Sequence, residues 1–430
     1  MGNVEKITLE NGLSILLKEI HSAPIISFWT WYKVGSRHEK QGYTGISHWV
    51  EHMQFKGTKK YPSSLMDRLI SREGGLWNAF THLDWTTYFE TMPANKIDIA
   101  LELEADRQLN SLFKPDDVEA ERTVIISEKE GKENEPFLRL NSAVNEASFE
   151  FHPYRNEVIG TLEDLKRIQR EDLYNHYRNY YHPANCLVSV AGDFDTKTMF
   201  LKIRNLFENK PANNTPNHTI LPEPEMSDNK EIELTGPGDT IYLQISYRAP
   251  AASDPEFFAY TILDSLLTGP ASLNMFGGGG VSNKTSRMYK KLVDKNFAIS
   301  IAGGLQATVD PYLYDLSVTL HDQQDPHKAI EIIDREIDQI ITKRIRGSEI
   351  QRAVKQAKAL FAYGLENITN QAFWLGYSEN FANYDWFQNY LEQLNAVKPQ
   401  DVQKVAEKYL NPAKRVIGIY LPESNGDKSL

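Results

Sequence analysis

The chain has 430 residues, of which 41% are hydrophobic and 24% are charged, with a formal net charge of −11. This composition predicts a globular protein with a large core that divides into two or more domains. The negative charge argues against nucleic acid as a main partner, and no apolar run reaches transmembrane length. The single cysteine, Cys186, lies in an apolar run and is expected to be a buried structural thiol.

The first predicted elements are strands at residues 7–9 and 29–34. The N-terminus runs almost directly into the first strand, so no signal peptide is visible. This favours the cytoplasm, whereas a periplasmic or organellar location stays open if a leader was removed.

The next predicted element is a short helix, with capping residues expected within 44–47, that contains the sequence His48-Trp49-Val50-Glu51-His52. Residues four apart on a helix share a face, so His48 and His52 can point at one ion, and Glu51 shares that side. Catalytic zinc usually takes three protein ligands and leaves one position for water, whose proton a nearby carboxylate can take. A lone histidine is more often a core residue, but this combination predicts a metal site that lacks one ligand.

Helices are also predicted at residues 97–109 and 115–130. The second contains Glu121 and Glu128, which are seven residues apart and therefore face the same way. Glu130 and Glu133, which lie beside lysines, fit a solvated surface better. Spacing alone does not choose the third metal ligand among these carboxylates.

The segments 172–190 and 401–419 show the same order of a helix, a proline-containing turn and an apolar strand. They share four identities at a constant offset of 229 residues, which favours an internal duplication over the chance recurrence of a common junction. Residues 211–228 are rich in proline and polar residues and are interpreted as a linker between domains at 1–210 and 229–430.

The second half continues the alternation with a strand predicted at residues 241–247 and a helix at 329–343. The predicted fold class is therefore α+β, with two domains that each have a sheet and helices packed mainly on one face.

These patterns resemble the M16 family of zinc peptidases, which includes pitrilysin and the mitochondrial processing peptidase. Besides the motif at residues 48–52, the resemblance rests on segments that cover most of the first 195 residues: Val34-Gly35-Ser36-Arg37, Phe55-Lys56-Gly57-Thr58, Gly74-Gly75, Asn78-Ala79-Phe80-Thr81, Leu103-Glu104-Ala105-Asp106-Arg107, His152-Pro153-Tyr154 and Tyr181-His182-Pro183-Ala184-Asn185. It implies two homologous α/β roll domains, the fold of LuxS/MPP-like metallohydrolases.

The family also carries a glutamate about 76 residues after the second histidine, and this position is Glu128 here. The resemblance therefore implies that His48, His52 and Glu128 bind one zinc ion per chain and that Glu51 is the general base. It also implies that Glu121 supports the site, since a ligating imidazole needs an acceptor for its other N–H.

The resemblance assigns Asn78, Ala79, Phe80 and Thr81 to a strand that borders the active site and pairs with an extended substrate. In such pairing, main-chain hydrogen bonds bind any peptide and side-chain pockets add preference. A strand edge does not accept a folded protein, so peptides or unfolded segments are the expected substrates. An ordinary edge strand is the alternative interpretation.

The second half has no metal motif in its sequence. Its glycine-rich segment, Gly277–Gly280, is followed by Asn283 where a phosphate-binding loop requires glycine before Lys284, so nucleotide binding is rejected. A glycine-rich loop lining the substrate chamber is expected instead, as related subunits have.

Active family members place an Arg and a Tyr in the second half, where they hold the substrate carbonyl. Val293 and Ile299 occupy the nearest matching positions here. Either Arg287 or Tyr289 compensates, or a non-identical partner subunit supplies both groups. We favour the second interpretation, which predicts a dimer.

The predicted function is a zinc-dependent endopeptidase that cleaves peptides or unfolded segments. One alternative is a non-catalytic core or scaffold subunit of a larger complex, although the four key residues of the site are retained. Another is hydrolysis of a small molecule at the same metal site, which two full domains with a substrate-pairing strand disfavour. The sequence does not indicate cleavage specificity or the physiological substrate.

Overall fold

The computed structural model describes residues 3–216, 219–271 and 282–423. Its strands are β1 (Glu5–Thr8), β2 (Ser14–Glu19), β3 (Ile25–Tyr32), β4 (Leu76–Thr81), β5 (Thr86–Pro93), β6 (Cys186–Gly192), β7 (Lys230–Gly236), β8 (Ile241–Ala249), β9 (Ala298–Leu305), β10 (Tyr312–Leu320) and β11 (Val416–Pro422). Its α-helices are α1 (Ile46–Met53), α2 (Ser63–Arg72), α3 (Ile97–Asn110), α4 (Pro115–Glu133), α5 (Pro136–Ser148), α6 (Leu162–Arg167), α7 (Arg170–Tyr180), α8 (Thr196–Phe207), α9 (Glu256–Leu267), α10 (Pro326–Thr342), α11 (Gly347–Tyr363), α12 (Ile368–Phe381), α13 (Tyr384–Ala396) and α14 (Pro399–Tyr409). Within the described ranges, no helix combines the length and apolar character needed to cross a membrane.

The chain forms two compact units, and each is discontinuous in sequence. The first unit takes its described residues from the ranges 1–129, 156–221 and 365–387, and the second unit takes the remainder. Helix α12 therefore belongs to the first unit and α5 to the second. The domain boundaries suggested by the sequence, at the linker 211–228, stay a prediction.

The sheet of the first unit has six strands in the order β1-β2-β6-β3-β5-β4. Only β2 and β6 run parallel, and every other neighbouring pair is antiparallel. Strand β3 is central and buried on both faces. Trp29 and Trp31 contact Phe373 of α12, with ring centroids 5.5 Å apart in both pairs, whereas Thr30 donates a hydrogen bond to Glu104 of α3 from the other face.

The sheet of the second unit has five strands in the order β7-β11-β8-β10-β9. Strands β7 and β11 are parallel and the remaining pairs are antiparallel, so the second sheet has the same pattern as the five strands β2-β6-β3-β5-β4 of the first. Strands β6 and β11, which end the two repeated sequence segments, occupy the same position in this order. The shared topology supports the duplication and confirms the predicted α+β fold class.

The predicted elements are confirmed with shifted ends. Helix α4 ends at Glu133 rather than residue 130, and β3 spans Ile25–Tyr32 rather than residues 29–34. Helix α10 begins at Pro326, three residues earlier than predicted, because the Asp325 side chain accepts a hydrogen bond from the backbone N–H of His327 and proline suits the first helical turn. Cys186 is buried at the start of β6, and this burial raises the pKa of its thiol to about 12.

Candidate metal centre

Helix α1 carries the motif, and its first turn is fixed by a buried carboxylate. Gly45, the N-cap residue, has φ +86°, a left-handed conformation that glycine adopts without strain. One oxygen of Glu39 accepts the N–H of Gly45 at 2.8 Å, and the other accepts the N–H of Ser47 at 2.8 Å. The expectation that the capping residue lies within 44–47 is confirmed by Gly45, but no side chain caps the helix, because Thr44 instead donates its hydroxyl hydrogen to Asp164.

Glu39 is a functional neighbour that sequence reasoning missed. Burial raises the pKa of its carboxyl to about 7, although the hydrogen bonds from Ser47 and Gly45 oppose this rise. A carboxylate at a helix N-terminus is stabilised by the free N–H groups there and by the helix dipole. The only sequence signal was its place just after Val34-Gly35-Ser36-Arg37, a segment already part of the family resemblance.

The structure brings His48, His52 and Glu128 together. The two imidazole ring centroids are 4.6 Å apart on one face of α1. The Oε2 atom of Glu128, from α4, lies 3.8 Å from Nε2 of His48 and 3.8 Å from Nε2 of His52. In the described part of the chain, this is the one group of three or more His, Cys, Asp or Glu side chains whose candidate ligand atoms all lie within 4.8 Å of one another.

This arrangement fits a zinc ion. Two donors that each lie about 2.1 Å from one ion at a tetrahedral angle are about 3.4 Å apart, and the separations of 3.8 Å require only a small inward movement. Two imidazoles and one carboxylate are a ligand set of catalytic zinc sites, which leave one position open. Glu128 is about one-third exposed, so the cluster is accessible from solvent.

Glu121 lies on α4 about two helical turns before Glu128, and it bonds to the imidazole of His52. Its Oε1 atom lies 2.8 Å from Nδ1 of His52, so an N–H at Nδ1 donates to the carboxylate and Nε2 is left facing Glu128. Burial lowers the pKa of His52, but the hydrogen bond to Glu121 and the charges of Glu51, Glu121 and Glu128 outweigh it and the pKa is raised. The other oxygen of Glu121 forms an ion pair with Lys56.

Glu51 lies between α1 and the outer strand of the first sheet. Its side chain is buried, and its Oε2 atom accepts a hydrogen bond of 2.8 Å from the hydroxyl of Thr81. Burial raises the pKa of Glu51, and the Thr81 hydrogen bond partly opposes the rise. A raised carboxyl pKa suits a group that takes up a proton and later returns it. The sequence analysis placed Thr81 on the substrate-binding strand but did not predict its hydrogen bond to Glu51.

Residues 78–81 all lie on β4, which is an edge strand. It pairs with β5 from Leu76 to Thr81, and its other side has no strand neighbour within the described ranges. Asn78 is exposed, Ala79 is buried and Phe80 is half-buried. The side-chain oxygen of Asn78 accepts a hydrogen bond of 2.9 Å from the N–H of Ala79. The four residues therefore lie on a strand that has a strand neighbour on one side only in the described ranges, and Thr81 directs its hydroxyl toward Glu51.

The candidate replacements for the Arg and Tyr lie in the second unit. Arg287 is held by Glu349, with Nε and Nη2 at 3.2 Å and 3.1 Å from one carboxylate oxygen. Tyr289 and Val293 lie in one short π-helical turn, and Ile299 is exposed on β9. The glycine-rich segment Gly277–Gly280 lies outside the described residues.

Two family models match the chain in tandem. One, described as Insulinase (Peptidase family M16), matches residues 14–162, and the other, described as Peptidase M16 inactive domain, matches residues 167–357. The first match contains every residue of the metal cluster, and the second lies in the part of the sequence without a metal motif. The chain belongs to the M16 peptidase family.

Similar proteins cover nearly the whole chain. "Zinc protease PqqE" of Helicobacter pylori is 28% identical over 424 residues, which span 94% of this chain and 90% of that protein. An "uncharacterized zinc protease" of Streptomyces coelicolor is 26% identical over 429 residues, which span 97% of this chain and 90% of that protein. The crystal structure of a protease from Helicobacter pylori has the same fold, with a TM-score of 0.90 and 24% identity over 98% of this chain and 100% of that chain.

Proposed function

We propose that this chain is a zinc-dependent endopeptidase that cleaves peptides or unfolded segments and binds one zinc ion. The observation that carries the proposal is the meeting of two imidazoles from α1 and the Glu128 carboxylate from α4. The relatives named zinc proteases add support, because they extend over almost the entire chain.

In this proposal, His48, His52 and Glu128 would hold the zinc ion through their facing nitrogen and carboxylate oxygen atoms. When bound, zinc would supply a Lewis acid and a water molecule with a pKa of about 7. Glu51 takes a proton from the water that attacks the scissile carbonyl and then donates it to the nitrogen of the leaving amine. Its hydrogen bond from Thr81 fixes the carboxylate during both transfers.

The substrate is proposed to bind along β4. This strand has a free edge in the described part of the chain, and an extended peptide can pair with such an edge through main-chain hydrogen bonds. Asn78, Ala79, Phe80 and Thr81 would contact the peptide beside Glu51. A peptide-pairing edge favours an endopeptidase over an enzyme that hydrolyses small molecules.

A non-catalytic subunit of an M16-type complex is the second candidate. The description of the family model that matches residues 167–357 as an inactive domain favours it for that part of the chain. Against it stands the complete cluster in the first unit, because a scaffold has no need for two histidines and a carboxylate within metal-binding distance.

We also propose that the active form is a dimer with a non-identical M16-like subunit that supplies the Arg and Tyr. Arg287 is already engaged by Glu349, and Val293 and Ile299 cannot donate side-chain hydrogen bonds. Co-purification of the chain, followed by a peptide assay of the chain alone and of the complex, tests this. Full activity of the isolated chain would contradict it.

The catalytic proposal is tested with Glu51→Gln, a quenched fluorescent peptide and a measurement of bound zinc. We expect the variant to bind zinc and peptide and to lose at least about a hundredfold in kcat, because general acid–base catalysis contributes about 10²–10⁴-fold. Glu119→Gln, at an exposed position of α4, is the matched control and should cleave normally. Cleavage by Glu51→Gln at the wild-type rate would refute the assigned role.

A further inference from the structure

Lys56 lies outside the metal cluster but contacts it through one residue. Its ammonium group pairs with Oε2 of Glu121, whose Oε1 atom accepts the hydrogen bond from His52. The side chain of Lys56 is 31% exposed and that of Glu121 is 8% exposed, so the pair lies at the boundary between solvent and the site. Both oxygens of Glu121 are therefore engaged, and the plane of the carboxylate is set from two sides.

The backbone that presents Lys56 is itself fixed. The N–H of Lys56 bonds to the carbonyl of Met53, the last residue of α1. Phe55 packs on Trp77 with ring centroids 4.9 Å apart. Gly57 has φ +91°, and a Cβ at this position would lie 2.6 Å from the backbone nitrogen of Ser63. The turn after α1 thus tolerates little movement, and it presents the partly exposed ammonium group to Glu121.

We propose that Lys56 is a positioning residue of the metal centre, which holds Glu121 in the orientation that fixes the ring of His52 for metal binding. The inference rests on the proposed zinc site. Three carboxylates, from Glu51, Glu121 and Glu128, surround the imidazole and influence it electrostatically. With a cation on its outer oxygen, Glu121 remains the acceptor for Nδ1 and does not rotate toward the other ligands.

The test measures the zinc dissociation constant by competition with a chromogenic chelator. Lys56→Met removes the charge and keeps most of the side-chain length. A partly exposed ion pair contributes about 0.2–1 kcal/mol, so we expect the dissociation constant to rise up to about fivefold. Lys56→Arg keeps the charge and should stay within about twofold of the wild type. The increase for Lys56→Met should shrink at high salt, because salt screens the ion pair.

Two further variants distinguish positioning from general effects. Lys60→Met, the matched control, removes a lysine of the same segment that pairs with Glu102 outside the cluster, and it should bind zinc as the wild type does. Lys56→Gln keeps a polar side chain and should weaken zinc binding as Lys56→Met does. The thermal midpoint of each metal-free variant establishes that the folded protein is being compared.

A double variant shows whether Lys56 acts through Glu121. Glu121→Gln alone should weaken zinc binding about 10–100-fold, as changes to residues behind metal ligands do. Adding Lys56→Met to it should produce no further loss. An unchanged dissociation constant in Lys56→Met, or an equal loss in the presence and absence of Glu121, would overturn the inference. If the wild type itself binds no zinc, the proposed function fails as well. If the wild type binds zinc but Lys56→Met has the same dissociation constant, only the inference about Lys56 fails and the proposed function stands.

Discussion

In each unit, one helix faces the edge strand of the sheet, and we call this region the corner of the unit. The two corners differ in chemistry although the topology of the two units is the same. In the first unit, α1 follows β3 and faces the edge strand β4, and its Glu51 is bonded by Thr81. In the second unit, α9 follows β8 and faces the edge strand β9, and its Asp264 lies against Gly303, where a Cβ would be 1.9 Å from the carboxylate oxygen. Both units therefore bury one helix carboxylate against the outer strand.

The surroundings of these carboxylates differ. Asp264 accepts hydrogen bonds from Tyr314 at 2.8 Å and Thr268 at 2.7 Å, and burial raises its pKa to about 6. Glu51 has one hydroxyl partner and two histidines on its own helix, with Glu128 opposite. Among the described residues, the second unit has no comparable group of metal-binding side chains. The shared scaffold thus places a buried carboxylate in each unit, and among the described residues only the first unit places the proposed zinc ligands beside it.

The largest effect is expected from making the first corner resemble the second. His52→Ala removes one of three proposed ligands and should weaken zinc binding at least about a hundredfold. His327→Ala, which changes an exposed histidine of the second unit, is the control. Zinc binding by His52→Ala at wild-type affinity would show that the two corners do not differ in the way proposed.

The pH dependence of zinc binding sharpens the same contrast. The pKa of His52 is raised, so the ring holds a proton over a wider pH range in the metal-free protein, and a zinc ligand must be neutral. Zinc affinity should therefore rise with pH, by about tenfold per unit below the pKa, and level off above it. Isothermal titrations between pH 5 and 8 check this, and an affinity that is flat across the range would contradict it.

The role of the hydroxyl beside Glu51 is tested by Thr81→Val. Loss of a hydrogen bond to a charged group costs about 1.5–3 kcal/mol, so kcat should fall at least about tenfold while zinc affinity is unchanged. Thr81→Ser keeps the hydroxyl and should restore most of the activity. Equal activity in the Val and Ser variants would remove Thr81 from the mechanism.

The smallest effect on function is expected from Asp264→Asn, which should leave zinc binding and cleavage unchanged. Its effect is on stability. The pKa of Asp264 is raised from 3.8 to about 6 in the folded protein, so the folded state binds more protons than the unfolded state, and the free energy of unfolding falls as pH rises between these values. This loss is about 2–3 kcal/mol in the wild type and should be absent in the variant.

Urea unfolding of metal-free protein at pH 4 and pH 7 measures that difference, with the exposed Asp338→Asn as control. A large loss of peptidase activity in Asp264→Asn would mean that the second corner takes part in the chemistry.

Much of the site was predictable because it depends on local periodicity. The spacing of His48 and His52 placed both on one helix face, and the family resemblance selected Glu128 from the carboxylates of α4, which the structure brings to the same point. The resemblance also selected Glu121, which bonds to His52, but the other partners of these residues were not predictable. Glu39, Thr81 and Lys56 reach the site through turns and strand pairing, and no periodic pattern records such contacts.

The fold shows the same limit. The alternation of several strands and helices and the internal repeat could be predicted from sequence, and the two sheets share a strand order that agrees with the repeat. The assignment of α5 to the second sheet and of α12 to the first could not, because it depends on packing between segments that are distant in the chain. For example, Trp29 and Trp31 pack against Phe373 of α12. The sequence indicates that these tryptophans are buried but not which helix covers them.

Anomalous diffraction at the zinc edge, from crystals of the protein grown with zinc, tests the central claim most directly. The account predicts one peak per chain, within about 2.0–2.2 Å of Nε2 of His48, Nε2 of His52 and a carboxylate oxygen of Glu128. A peak bound by other residues, or no peak between α1 and α4, would contradict it.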